Sequence, residues 1–214
     1  MEKTKEKLTR WDKLNISYVN YQTYLNTKES RHDLSLVDLL YICNFKGGNA
    51  SIQEGESIVS KKLRSYSEIL NRIEKRYIER KLAQLNDEET LLLIEEINKL
   101  FHFTERKNDF KIDGLGISLL SALLNSHCPD LIPIIDRNVL LGLGFNDDEL
   151  KINSSTGQIT NTLDLYPKFI KEIQSRLRTN PNKTMRELDK ELFSKGVKIR
   201  KSKKTKDDQT PVKN

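Results

Sequence analysis

Residues 110–140 read FKIDGLGISLLSALLNSHCPDLIPIIDRNVL, and they constrain this chain more than any other stretch. Ile117, Leu119, Leu120, Leu123 and Leu124 put apolar side chains on nearly every side of one helix. Such a helix can sit only in the middle of a core. Elsewhere apolar residues recur at three- and four-residue steps between polar breaks, and no segment alternates long enough for a half-buried strand. The expected class is all-α, and 214 residues suffice to bury a sizeable core.

Local punctuation supports that class. Helices are expected over 11–26, which carries Ile16, Val19, Tyr21 and Tyr24, and over 34–45, stopping at Gly47-Gly48. Further helical candidates are 50–62 and 66–85. Asn86 with Glu89, and Thr184 with Glu187, have the spacing of capping boxes. The polar stretch 146–161 reads as a loop, followed by helical patterns in YPKFIKEIQSRLR and TMRELDKELFSKG, the latter ending at Gly196. The expected organisation is one helical domain, 1–196, with a hairpin at 112–126 and a basic, disordered tail at 197–214.

Several function classes drop out. No run of about 18 apolar residues is present, so no membrane span is expected. The opening MEKTKEKLTRWDKLN lacks the apolar region of a signal peptide. Cys43 and Cys128 are far apart, and His32, His102 and His127 form no ligand motif. The expectation is a cytoplasmic protein with no metal and no cofactor.

The net charge of +6 is unevenly placed. Residues 195–214 hold eight Lys/Arg and two Asp, leaving 29 basic and 29 acidic residues in 1–194. The body is neutral, and the excess lies in KGVKIRKSKKTKDDQTPVKN. Such a tail either attracts nucleic acid without sequence preference or simply keeps the chain soluble.

Ile112-Asp113-Gly114-Leu115-Gly116 precedes the central helix with the pattern apolar-x-Gly-apolar-Gly. Glycines there permit positive φ and close approach, and a helix N-terminus offers N–H groups to phosphate; a simple tight turn has the same pattern. The segment resembles the hairpin of helix–hairpin–helix DNA glycosylases. In that superfamily an apolar segment follows and ends in a catalytic aspartate that opens the next helix; here LIPIIDRNVL places Asp136 in that position. The resemblance spans roughly residues 34–145, with its motif-bearing part at 110–140. LRTNPNKTMRELDKELFSKG also looks like the ends of small uncharacterised bacterial proteins with this hairpin, which suggests a group but no activity.

The resemblance implies an all-α glycosylase-like fold, double-stranded DNA as partner, and base excision without a cofactor. It implies hairpin contact with phosphate through Gly114, Leu115, Gly116 and Ser118. It also implies charge from Lys111 and Arg137 beside them and, more weakly, from Lys107. Asp136 would stabilise the cationic sugar, or simply cap its helix, and the two roles are compatible. Lys46, in NFKGGN, is a candidate for contact with phosphate or an extruded base, an amine nucleophile, or a solvated helix end. Bifunctional members carry a Schiff-base lysine where this chain has Ser118, and the four-cysteine iron–sulfur loop is missing, so the usual lyase chemistry is not expected. His127 and Cys128 read as packing or capping residues. Trp11, Tyr18, Tyr21 and Tyr24 read as core or as a stacking wedge. Two rival readings are a non-catalytic DNA-binding module and a protein-interaction domain.

Overall fold

Charge-rich amphipathic segments closed by local caps produce eight α-helices in the computed structural model, which describes residues 9–46, 51–146, 148–155 and 158–207. They are α1 (Arg10–Thr27), α2 (Leu36–Phe45), α3 (Glu56–Arg76), α4 (Asp87–His102), α5 (Ile117–His127), α6 (Arg137–Leu143), α7 (Thr162–Thr179) and α8 (Met185–Asp207). Among the described residues there is no strand, only an isolated bridge between Ile152 and Ile159 in the expected polar loop. No helix is long and apolar enough to cross a membrane among the described residues.

The contacts divide the chain into two compact units, Met1–Ile78 with Lys99–Cys128, and Glu79–Asn98 with Pro129–Asn214. In the first, α1, α2, α3 and α5 enclose an apolar core. Tyr21, Leu39, Leu63, Tyr66, Leu120 and Leu123 are almost wholly buried there. Every residue from Leu119 to Cys128 is buried, as the all-round apolar pattern of α5 requires. Helix α1 starts on a capping box in which Asp12 N–H donates to Thr9 Oγ1 at 3.2 Å and Thr9 N–H donates to Asp12 Oδ2 at 2.9 Å.

Helix α3 corrects the expectation of separate helices over 50–62 and 66–85. Leu63, Tyr66, Leu70 and Ile73 continue one buried stripe through the supposed break. The helix ends at Arg76, Glu79 takes a left-handed φ of 56°, and only a 3₁₀ turn, Leu82–Gln84, follows. Tertiary hydrogen bonds account for that turn. The buried Gln174 Nε2 on α7 donates to Leu82 O at 2.9 Å and Leu85 O at 3.0 Å, satisfying carbonyls that a longer helix would have paired internally.

In the second unit the Asn86–Glu89 and Thr184–Glu187 boxes form as expected. Gly196 does not stop α8. A Cβ on Gly196 would lie 1.8 Å from Asn138 O, and one on Gly142 would lie 2.1 Å from Leu192 O. The pairs 138/196 and 142/192 run in opposite senses, so α6 and α8 cross antiparallel with backbones touching at two points one turn apart. Mid-helix glycine costs about 1 kcal/mol against alanine, and this close approach offsets it. Residues 197–207, expected to be disordered, continue the helix; 208–214 lie outside the described residues.

Candidate functional site

The hairpin is a tight turn. Leu115 N–H donates to Ile112 O at 3.0 Å, and Gly114, with φ 94°, occupies the third position, as in a type II turn. Ile112 and Leu115 are buried and anchor the turn, while Gly114 and Gly116 are exposed.

The two glycines have different physical causes. A Cβ on Gly114 would lie 2.0 Å from Ser51 O, so both its conformation and its own chain's packing demand glycine. The contact is reinforced where Asp113 N–H donates to Glu54 Oε1 at 2.6 Å. Gly116 has an ordinary φ of −97°, and no described residue lies within 4 Å of a built Cβ. It is the N-cap of α5 and supplies no side-chain cap to the first N–H groups of the helix.

Charge around the turn is mixed. Lys111 Nζ lies 3.1 Å from Asp113 Oδ1, and Lys62 Nζ bridges Glu54 and the Lys111 carbonyl. The expected cation Lys111 is therefore locally paired rather than part of a positive face. Ser118 is half-buried, and its carbonyl accepts from Ser121 Oγ at 3.1 Å. Lys107 is exposed in the segment after α4.

Asp136 is the N-cap of α6, its Oδ1 accepting from Val139 N–H at 3.0 Å. Arg137 follows as the first helical residue, half-buried. Lys46 is the C-cap of α2, its N–H donating to Ile42 O at 2.9 Å, and is half-buried. Gly47 and Gly48 lie outside the described residues. The structure thus brings Gly114, Leu115, Gly116, Ser118 and Lys111 together on one segment. Lys46 belongs to the same unit as that segment, whereas Asp136 and Arg137 belong to the other.

Sequence reasoning missed a buried polar network in the first unit. Asp38, fully buried on α2, accepts from Tyr21 Oη at 2.9 Å, from Lys28 Nζ at 2.9 and 3.1 Å, and from the Ser35 N–H at 2.7 Å. Tyr21 Oη also lies 3.3 Å from His127 Nε2. Glu74 stands between two imidazoles, with Oε1 3.7 Å from His127 Nδ1 and Oε2 against His32. Burial pushes His127 down to about 3, keeping it neutral, and lifts the Tyr21 phenol beyond titration. Arg31 and Gln22 donate to Ser126 O at 3.1 and 2.7 Å. Tyr21, Tyr24 and Tyr41 stack with centroids 5.0–6.2 Å apart, placing the tyrosine run in this packed region. The one legible signal was Ser35-x-x-Asp38, the spacing of a capping box. Asp38 and His127 are both buried, and the network links α1, α2, α3 and α5.

Cys43 and Cys128 are both buried and free, and burial pushes the Cys128 thiol up to about 12. Among the described residues no group of three or more His, Cys, Asp or Glu is placed to hold a metal ion. Comparison with protein-family models, curated proteins and solved structures found no match.

Proposed function

We propose that this chain binds double-stranded DNA through the Ile112–Ser118 hairpin and removes a modified or damaged base from an extruded nucleotide. The observation that carries the reading is Gly116: its conformation is ordinary, no described residue lies within 4 Å of where its Cβ would sit, and the helix it opens has no side-chain cap. Nothing among the described residues requires glycine there, whereas a DNA phosphate approaching the backbone N–H groups of Gly116 and Ile117 would.

Asp136 supplies the chemistry in this reading. Its hydrogen bond from Val139 N–H fixes the carboxylate at the head of α6. As the bond between sugar C1′ and the base breaks, the electron pair leaves with the base and positive charge builds on the sugar. A fixed carboxylate stabilises that charge, and water adds at C1′, losing its proton to the carboxylate or the departing base. Arg137 adds a cation beside the aspartate for phosphate, and Lys46 contributes one on the hairpin's unit. Ser118 cannot form a Schiff base, so base release proceeds without strand cleavage from that position.

The second reading, a DNA-binding module without chemistry, is favoured by Asp136 serving fully as a helix cap. The two separate on a panel of duplexes carrying single modified bases, scored for base release and for affinity with one protein preparation. Binding with release supports the first; binding without release on every duplex supports the second.

A further inference from the structure

Helix α8 is mixed in charge at its start, where Arg186 and Lys190 stand among the acids, and cationic in its second half. Its acidic residues Glu187, Asp189 and Glu191 lie in the first two turns. From Lys195 to Lys206 the sequence places seven cations, Lys195, Lys198, Arg200, Lys201, Lys203, Lys204 and Lys206, with only Asp207 as a counter-charge before the helix ends. The cations of the last turn complement the helix dipole.

The helix is also rooted. Up to Gly196 it is clamped backbone to backbone on α6, and one turn later Arg200 Nη1 donates to Asn138 Oδ1 at 3.2 Å. Asn138 stands two residues after Asp136, so the cationic half of α8 springs from the head of the helix that Asp136 caps. At 1.5 Å per residue, positions 195–207 extend for about 18 Å. Duplex DNA presents a negative charge about every 1.7 Å along its axis, and the seven cations of this run, about one per 2.6 Å, would neutralise part of such a backbone.

We infer that residues 198–207 of α8 form a helical, sequence-independent arm for the phosphate backbone of duplex DNA, delivering the duplex to the head of α6. Composition discriminates among polyanions. The only apolar residues in 195–207 are Val197 and Ile199, two positions apart, so no apolar stripe exists to enter a lipid surface. The same stretch has no aromatic residue on which single-stranded bases could stack. The inference shares its DNA partner with the proposed function but rests on a different surface, so each can fail alone.

The test is affinity of the full chain for an unmodified 20-base-pair duplex across a potassium chloride series. The variant K201Q/K203Q/K204Q/K206Q, with its helicity checked by circular dichroism, should lower the slope of log affinity against log salt by about 3–4, at roughly 0.9 per phosphate contact. K203A/K204A should lower it by about 2, and the four-arginine counterpart should restore the wild-type slope. An unchanged slope in the glutamine variant, or tighter binding to phosphatidylserine vesicles or single strands than to duplex, overturns the arm. Absence of base release by the wild-type chain, with the slope still falling in the glutamine variant, instead counts against the proposed chemistry and leaves the arm standing.

Discussion

Gly196 on α8 lies so close to Asn138 on α6 that a Cβ would sit 1.8 Å from the Asn138 carbonyl oxygen. The reciprocal contact of Gly142 with Leu192 makes the pair a two-point clamp, and it holds the helix that Asp136 opens. Gly196→Ala gains helix propensity, about 1 kcal/mol, but forces two backbones apart. Overpacking of this kind costs about 1–3 kcal/mol beyond the propensity gain, so the variant should lose stability in urea titration. A more stable Gly196→Ala protein would show that the helices are not in contact there.

The hairpin glycines should behave differently from each other. Gly114→Ala meets both a φ of 94° and the Ser51 carbonyl, and should destabilise by about 1–3 kcal/mol. Gly116→Ala meets no described residue within 4 Å at an ordinary φ and should fall within about 0.5 kcal/mol of wild type. Gly116→Glu should fold equally well yet weaken duplex binding by about 1–3 kcal/mol, by placing an anion beside the expected phosphate. Melting temperatures paired with gel-shift titrations check both halves of the contrast.

Stability should fall in acid through His127. Its folded pKa, about 3, lies below the unfolded value near 6.5, so the unfolded chain binds more protons between those limits. The contribution is present above pH 6.5 and is lost as pH falls towards 3. Between pH 7 and pH 5 the loss from this group is about 2 kcal/mol. His127→Gln should remove that part of the pH dependence while lowering stability at pH 7. Parallel slopes for the two proteins in urea midpoints at pH 7 and 5 would count against a buried neutral imidazole.

The Asp38 network predicts a graded series. Tyr21→Phe removes one of several donors to a buried carboxylate and should cost about 1.5–3 kcal/mol. Asp38→Ala removes the counter-charge of Lys28, whose side chain is only 11% exposed and would keep just the Asp33 carbonyl and the Tyr24 ring, and should cost about 3–5 kcal/mol. Chemical denaturation orders the two, and a milder effect for Asp38→Ala would argue that the carboxylate is not the hub.

Much of the helical fold was legible because local rules decide it. The capping boxes at Asn86 and Thr184 and the all-round burial of α5 follow from residue type and spacing alone. Errors arose where a distant group decided the outcome. Gln174 ends the helical tendency of 77–85 by taking the Leu82 and Leu85 carbonyls, and Asn138 converts Gly196 from a stop into a contact. At the candidate site, the turn at Gly114 and the cap at Asp136 could be read in advance. The pairing of Lys111 with Asp113 and the Asp38–Tyr21–His127 network could not, because side-chain partners far apart in sequence leave no periodic trace.

The central claim is that the Asp136 carboxylate does chemistry as well as capping, and Asp136→Asn separates the two. Asparagine caps a helix about as well as aspartate, so the Val139 N–H keeps its acceptor and the fold its stability. The negative charge that would face a cationic sugar is gone. On a duplex whose modified base the wild type releases, Asp136→Asn should bind at least as tightly and release the base on the order of 10²-fold more slowly or worse, the scale of losing one electrostatic stabiliser. Release at the wild-type rate by a folded, DNA-bound Asp136→Asn protein would contradict the account.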